Sequence, residues 1–535
     1  MRPDHGRDLQ RDPRPHRGGA GAAAPAAGAA LLRREGGGDG PLLGRRGHRA
    51  GTMSADPDEA GMAIAERAGS LQARAQSRRE EAAARRSRRA DGRTPSDVSA
   101  MPATHVAVVG AGLAGLAAAL ELKRNGFRVT LLERSRLLGG KATSFQLGDL
   151  EMDSGQHAIL GCYTSFLELA GELGMRGDLR LQERFDVLML TPHGRARLRA
   201  LRLPAPLHLA LPFLTFRALA FRARLQVVRA LVAARRPHPG EDSETFAAWL
   251  RRHGQSAPAL RGFWEPFLIP ALNAPFDRVS AASGLMVVRT ALLGDRDAAR
   301  IGYATVPLAR FAERAAERCD EVRLRTAVTG LRVEDGRLRG LRTGELELDC
   351  DAAVLAVPPE RLLRIAGAEA LRVTGLEAFT TQPIVDVHLW YRPAAVGVTG
   401  HDPLADLDFA AMVDSPVQWV FAKGPGHLCC SLSSADDLVL QPEERLVALA
   451  DSELRARLPE LVGAVLLRGV AIRDPEATFV PAPGLRRPGP STAIENAVLA
   501  GCWTDTGWPA TMEGAVRSGR VAARTLIASL AARHE

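Results

Sequence analysis

The sequence predicts an α/β protein, a parallel sheet covered by helices and interrupted by long insertions that form a second, α+β domain. Three stretches lead to that reading. Residues 105–133 run strand, glycine-rich turn, helix, strand; residues 321–357 run as short strands closing on an apolar one; residues 499–530 pass from an apolar strand through a turn into a long helix. The textures between them differ, so one sheet is drawn from three separated parts of the chain.

The first stretch is HVAVVGAGLAGLAAALELKRNGFRVTLLERS. An apolar strand, His105 to Val109, meets Gly110, Gly112 and Gly115, with Leu113 and Ala114 inside the motif. A helix rich in Ala and Leu then stops at Asn125-Gly126, and a second strand, Arg128 to Leu132, ends on Glu133 and Arg134. Gly110 permits a tight turn, Gly112 lets the backbone approach a pyrophosphate, and Gly115 lets helix and strand pack closely. The helix N-terminus faces the phosphates. Glu133 stands where a carboxylate accepts hydrogen bonds from a ribose diol and repels a 2′-phosphate, which disfavours NADP. The motif is a Rossmann-like dinucleotide site, and FAD is the expected dinucleotide.

The second stretch gives VRLRTAVTGLRV, a turn at Glu334-Asp335-Gly336, RLRGLRT, LELDC and AAVLAVP. The Asp-Gly pair between alternating runs signals a hairpin, and the closing apolar strand suits a parallel sheet. Residues 190–300 are helix-forming and rich in Arg, Leu and Ala, with WEPFLIPALNAP at 264–275. Residues 375–485 hold strand-like runs, Ile384 to Tyr391 and Trp419 to Ala422, and an amphipathic helix at Pro442 to Leu458. The expected division is a cofactor domain of residues 104–190, 301–370 and 490–535, and a substrate domain of residues 191–300 and 371–489. In the third stretch a helix begins near Thr511; its N-terminal N–H groups would favour negative charge on a flavin. The plainer alternative is an amphipathic helix packed on the sheet.

Composition narrows the function classes. Of the formal charge of +9, six units fall in residues 1–100, where 19 Arg face 13 acids, so the rest is nearly balanced and nucleic-acid binding is not expected. Those first hundred residues lack Phe, Trp, Tyr and Cys and cannot cover a core. We expect them to be disordered or a mistranslated leader, with translation starting at Met101 or Met53. They contain no apolar stretch of signal-peptide type. Six scattered cysteines without a CxxC fit free thiols in a cytoplasmic, reducing compartment, and no metal site is expected. No run of 18 apolar residues occurs; Pro206 to Ala234 is broken by His208, Pro212 and four arginines.

VVGAGLAGLAAALEL, LLERSRLLGGKA, DSGQHAILGCY, WEPFLIPALNAP and WPATMEGAVRSG together resemble the hydroxysqualene dehydroxylases, squalene-associated flavoproteins of the amine oxidase and phytoene desaturase superfamily. The resemblance covers about residues 104–530. It implies a GR2-type Rossmann-like FAD-binding domain with a discontinuous substrate domain, and reduction of hydroxysqualene to squalene for hopanoid or carotenoid synthesis. By the same resemblance, Gly139, Gly140 and Lys141 stand for the family's Gly-Gly-Arg element, and the backbone of Val328 would hold the adenine. Gly501, Thr511 and Met512 would lie at the flavin, with Gly155 and Gln156 of the SGQH segment. Cys502 departs from the pattern, since much of the superfamily has Asp there to bond the ribityl chain, and a thiol bonds weakly. Asp505 is a compensating candidate.

Replacing an allylic hydroxyl by hydrogen requires hydride from reduced flavin and an acid that lets the oxygen leave as water. The candidates for that acid are His157, Asp153 and Asp505, in that order. Each has a plainer reading: Asp153 caps a turn, His157 bonds backbone beside the flavin, Asp505 orders the last loop. Phe263, Trp264, Phe267 and Leu268 are candidates for lining an apolar tunnel, or equally for core. Arg217, Arg222, Arg224 and Arg229 beside an apolar face fit a helix at an anionic interface, hence peripheral contact with the inner face of the membrane. The solvated arginines of an ordinary domain helix would look the same.

A phytoene-type desaturase would use the same cofactor without the acid. A flavin amine oxidase is disfavoured by the presence of only Lys123, Lys141 and Lys423 and three tyrosines, and a non-catalytic flavin-binding protein is the remaining class. The sequence has no second GxGxxG, so an electron donor, NADPH or a reductase, is expected as a partner beside the apolar isoprenoid.

Overall fold

A computed structural model describes residues 104–237, 241–392 and 407–532, and the expectation for residues 1–100 lies outside them. The central sheet has five parallel strands in the order Glu321–Arg323, Arg128–Leu132, His105–Val109, Ala352–Leu355 and Ala497–Leu499. All three stretches picked out in the sequence contribute to it. Val106, Val108, Val129, Val354 and Leu499 are fully buried, as expected of strands covered on both faces.

One cover is the helix Leu113–Arg124, buried at every position from Leu113 to Leu122. Such a helix needs apolar partners all round, and the C-terminal helix Met512–Ala531 supplies one side. The two approach so closely that a Cβ on Gly519 would stand 2.0 Å from the Ala114 carbonyl oxygen. The other face of the sheet carries an antiparallel meander, Gly330–Glu334, Arg337–Thr343 and Leu346–Asp349, turned at Asp335 and Gly336 with φ of 49° and 72°.

A second sheet has seven strands, in the order Val465–Phe479, Thr381–Arg392, His427–Ser433, Trp419–Gly424, Phe409–Met412, Asp186–Thr191 and Gly194–Arg199. Its two faces separate by alternation along Thr381–Arg392. Val385, Val387 and Leu389 pack under the helix Glu443–Arg455 with Leu446, Ala450 and Leu454. On the opposite face Phe409, Trp419 and Phe421 pack against a helical layer formed by residues 207–292.

Pro206 to Ala234 forms two helices in that layer, Leu207–Leu214 and Phe221–Ala234. A wide helical turn, Leu260–Trp264, leads into the WEPFLIPALNAP motif, which forms the helix Glu265–Leu272. This helix stops at Asn273, in the left-handed conformation at φ 47°. Its side-chain amide donates to Gln382 O at 3.0 Å and Thr478 Oγ1 at 2.9 Å and accepts from Ser434 N–H at 2.7 Å, tying the helical layer to the sheet.

Candidate functional site

The glycine loop is shaped by what its residues lack. Gly110 has φ 101°, and a Cβ there would lie 2.5 Å from Ala356 O; a Cβ on Gly115 would lie 1.9 Å from Gly110 O. At Gly112 the nearest atom to an added Cβ is 4.0 Å away, so that glycine keeps open the space above the helix N-terminus. Gly139 bridges to Gly112, its N–H donates to Ala111 O at 2.9 Å, and Gly140 faces Gly112 Cα. Two main chains without side chains thus meet at the helix N-terminus, a cradle suited to a pyrophosphate.

Glu133 is buried beside this cradle. Its two carboxylate oxygens accept from Ala111 N–H and Ser135 N–H, each at 2.8 Å, and each keeps a lone pair for a hydroxyl. Thr326 N–H donates to Glu133 O at 2.8 Å, which brings Val328 alongside. Arg134 is exposed.

The C-terminal segment approaches the cradle from the sheet side. Gly501, at φ 147°, lies against the Trp503 ring, whose Nε1 donates to Val357 O at 3.0 Å. Ser518 Oγ accepts from Gly501 N–H at 2.9 Å. The Thr511 hydroxyl accepts from Gly514 N–H at 3.1 Å and caps the last helix beside buried Met512. Arg487 gathers this loop, donating to the carbonyls of Cys502 and Trp508 at 2.7 Å each. Burial raises the Cys502 thiol, against the pull of Arg487 and Lys141. Lys141 pairs with Asp474 at 3.0 Å, across to the second sheet.

From Lys141 the chain leads to a second cluster. Ser154 Oγ donates to Lys141 O at 2.6 Å, and the following Gly155 passes close to Asp386, whose Oδ2 lies 3.2 Å from where a Gly155 Cβ would stand. Gln156 N–H donates to the same oxygen at 3.1 Å. Lys423 Nζ donates to Gln156 Oε1 at 3.2 Å, 6.0 Å from the centre of the Tyr303 ring. Asp386 is 2% exposed; Ser431 stands opposite it on the next strand, and Oδ1 has no hydrogen-bond partner among the described residues. Burial pushes its carboxyl above the usual range, against the lowering effect of Ser431, Gln156 N–H, His157 and Lys423.

Beside it, His388 Nδ1 lies 3.0 Å from His427 Nε2, and His388 Nε2 lies 3.6 Å from Cys429 Sγ. Burial lowers these imidazoles to about 3 and about 4 respectively. From this polar end Tyr303, Phe409, Phe421, Trp419 and Phe267 run in successive ring contacts along the sheet face.

Comparison with known proteins places the chain. The model of the family described as flavin containing amine oxidoreductase matches residues 113–527. The chain belongs to that family. It is 31% identical over 447 residues to a hydroxysqualene dehydroxylase of Rhodopseudomonas palustris, covering 79% of this chain and 98% of that protein. A second, from Sinorhizobium fredii, is 28% identical over 440 residues, covering 78% and 97%. Zeta-carotene desaturase of Capsicum annuum is 26% identical over 475 residues, covering 79% and 80%. Among solved structures, cyclohexylamine oxidase from Brevibacterium oxydans superposes with TM-score 0.58 at 21% identity, covering 80% of this chain and 100% of that one. A putrescine oxidase variant gives 0.61 at 18%, covering 79% and 99%.

This flavoenzyme is therefore an FAD-dependent oxidoreductase of the Rossmann-like α/β class, and the cradle and Glu133 fit FAD. Gly110, Gly112, Leu113, Ala114, Gly115, Glu133, Gly139 and Gly140 come together in the structure, and Gly501, Cys502, Thr511 and Met512 form its C-terminal flank. The three candidate acids do not converge. His157 is half-buried with Nδ1 2.9 Å from Gly155 O. Asp153 Oδ1 accepts from Ser144 Oγ at 2.7 Å and from Leu308 N–H at 3.0 Å, the start of the helix Ala309–Ala316. Asp505 is exposed. Among the tunnel candidates, Trp264 donates to Gln255 inside the helical layer, while Phe267 reaches the sheet face. Of the three lysines, Lys123 pairs with Asp320 at 2.7 Å, and Lys423 does reach the polar cluster. Sequence reasoning missed Asp386. Its signal was the alternation VDVHLW, which puts a carboxylate and an imidazole on one face of an otherwise apolar strand.

Proposed function

We propose that the enzyme reduces hydroxysqualene to squalene, in an isoprenoid pathway of hopanoid or carotenoid type. The observation that carries this reading is a buried polar cluster, reached through Gly155 from the cofactor cradle, at the end of an aromatic wall. Such a wall suits a long apolar chain, and the cluster suits one polar group on it. The similarity to two hydroxysqualene dehydroxylases over nearly their whole length supports the same choice. FAD, when bound in its reduced form, supplies hydride. The backbone of Gly110–Gly115 and Gly139–Gly140 holds its pyrophosphate, Glu133 its ribose and Val328 its adenine. Reducing equivalents come from a separate donor, NADPH or a reductase.

The substrate is collected from a membrane surface. Leu207, Leu211, Leu214, Phe221 and Val232 are exposed apolar side chains on the two helices, between 44% and 62% accessible. Arg217, Arg222 and Arg229 accompany them, which suits an anionic leaflet. No helix among the described residues is long and apolar enough to cross a membrane.

The deciding experiment is anaerobic mixing of the photoreduced enzyme with hydroxysqualene, following flavin absorbance and squalene by mass spectrometry. Squalene formed as the flavin oxidises is the expected result. Oxidised enzyme that dehydrogenates a carotenoid precursor, with hydroxysqualene left unchanged, would replace this reading by a desaturase.

A further inference from the structure

We infer that Asp386 is the proton donor that lets the substrate hydroxyl leave as water, an assignment that rests on the function proposed above. It lies at the middle of the strand Thr381–Arg392, among the most enclosed positions of the second sheet, and at the point where the SGQH segment reaches that sheet. Oδ2 accepts from Gln156 N–H at 3.1 Å, the Ser431 hydroxyl lies within bonding reach of the carboxyl, and Oδ1 has no hydrogen-bond partner among the described residues. A fully enclosed carboxylate with a free oxygen is costly as an anion; the protonated form keeps Oδ2 as acceptor and makes Oδ1–H a donor.

The charged and titratable groups around it are Lys423 two strands away, His157 two residues beyond Gly155, and the thiols Cys429 and Cys430 on the adjacent strand. Lys423 and His157 pull towards the anion. Burial outweighs both, which holds the carboxyl above its ordinary range and favours the acid form.

The rival donors are worse placed. Asp153 is consumed at Ser144 and Leu308, Asp505 faces solvent, and His388 has both ring nitrogens against His427 and Cys429. In balance, the C–O bond breaks, the carboxyl proton leaves with the oxygen as water, and the carbon takes hydride from the two-electron-reduced FAD, which ends oxidised. Solvent then returns a proton to Asp386.

Infrared difference spectroscopy of the FAD-loaded protein, wild type against Asp386→Asn, reads the protonated carboxyl without turnover. A deuteration-sensitive carboxylic C=O band present at neutral pH and missing from the variant is expected; its absence from the wild type overturns the assignment. In single turnover with hydroxysqualene, Asp386→Asn should be about 100-fold to 10,000-fold slower. Asp386→Glu should recover part of the rate, and the variant lacking the acid should lose the alkaline fall of the wild-type pH profile. A wild type that leaves hydroxysqualene unchanged sinks the proposed function, whereas a wild type and an Asn variant that convert it equally fast sink the role of Asp386 alone. If the Asn variant does not fold, titration of the same band in the wild type decides, and ionisation below neutral pH rejects the assignment.

Discussion

The parallel sheet and the seven-stranded sheet hold functional groups in opposite ways. In the first, the working parts are main-chain N–H groups and missing side chains, with Gly110, Gly112, Gly115 and Glu133 spanning one strand–helix–strand unit. In the second they are side chains, Asp386, Lys423, His388 and Ser431, on adjacent strands but met by Gly155 and Gln156 from more than two hundred residues away. The cofactor half should tolerate changes of charge better than added volume. The substrate half should tolerate modest changes of volume better than an altered proton count.

Gly115→Val attacks the first half where no atom can move, since its Cβ would stand 1.9 Å from a carbonyl oxygen of the turn itself. Separation of helix and strand by more than about 3 kcal/mol should leave protein without yellow colour, or none soluble; normal FAD content would break the contrast. Asn273→Ala tests the joint between helical layer and sheet. It removes three buried hydrogen bonds and places Ala in the left-handed region, for about 3 kcal/mol, measured by denaturant unfolding. Asn273→Gly, free of the backbone strain, should lose less.

Glu133→Gln presents an NH2 group to one of two backbone N–H donors. FAD should bind with roughly 1–3 kcal/mol less free energy, about tenfold to a hundredfold in Kd, read by fluorescence titration of apoprotein.

The polar face of the second sheet predicts a pH signature. His388 and His427 are lowered in the folded protein from 6.5 to about 3 and about 4, so the unfolded chain binds more protons within that window. Stability should therefore fall as pH drops from about 6.5 towards 4. Asp386 works the other way, its raised carboxyl losing stability as pH rises above the ordinary carboxylate range. Urea unfolding of His388→Gln should show a flatter acid limb, and an unchanged limb would count against the buried pair as its cause. The smallest effect on the fold is expected from Phe221→Glu with Val232→Glu, both 62% exposed. Stability should stay within about 0.5 kcal/mol while flotation with anionic liposomes is lost.

The same contrast explains what could be read from the chain alone. The cofactor site was legible because its physics is local. A turn, a close approach and a capped helix leave glycines and an acid at set spacing within thirty residues. The hairpin at Asp335-Gly336 was legible for the same reason. The family motif ending in LNAP was visible as a resemblance, but the reason for its Asn appears only where Asn273 meets Gln382, Thr478 and Ser434. Asp153 looked suitable because an acid beside SGQH is suggestive, yet its neighbour in space is the start of a helix at Leu308, which no spacing reveals. Asp386 was hidden in a run read as apolar; the two-residue alternation was present, but the direction each face would look depends on Glu443–Arg455 covering the other.

The close seat of Gly519 on Ala114 has a consequence for how the molecule comes into being. The helix Leu113–Arg124 emerges early from the ribosome, but its partner helix and the edge strand Ala497–Leu499 are made almost four hundred residues later. Until then one side of a helix buried from Leu113 to Leu122 lacks its cover, and the sheet lacks an edge strand. Pairings this distant in sequence are slow and leave nascent chains prone to aggregation. The glycine cradle of residues 110–140 is thus made long before the helix Met512–Ala531 that backs it.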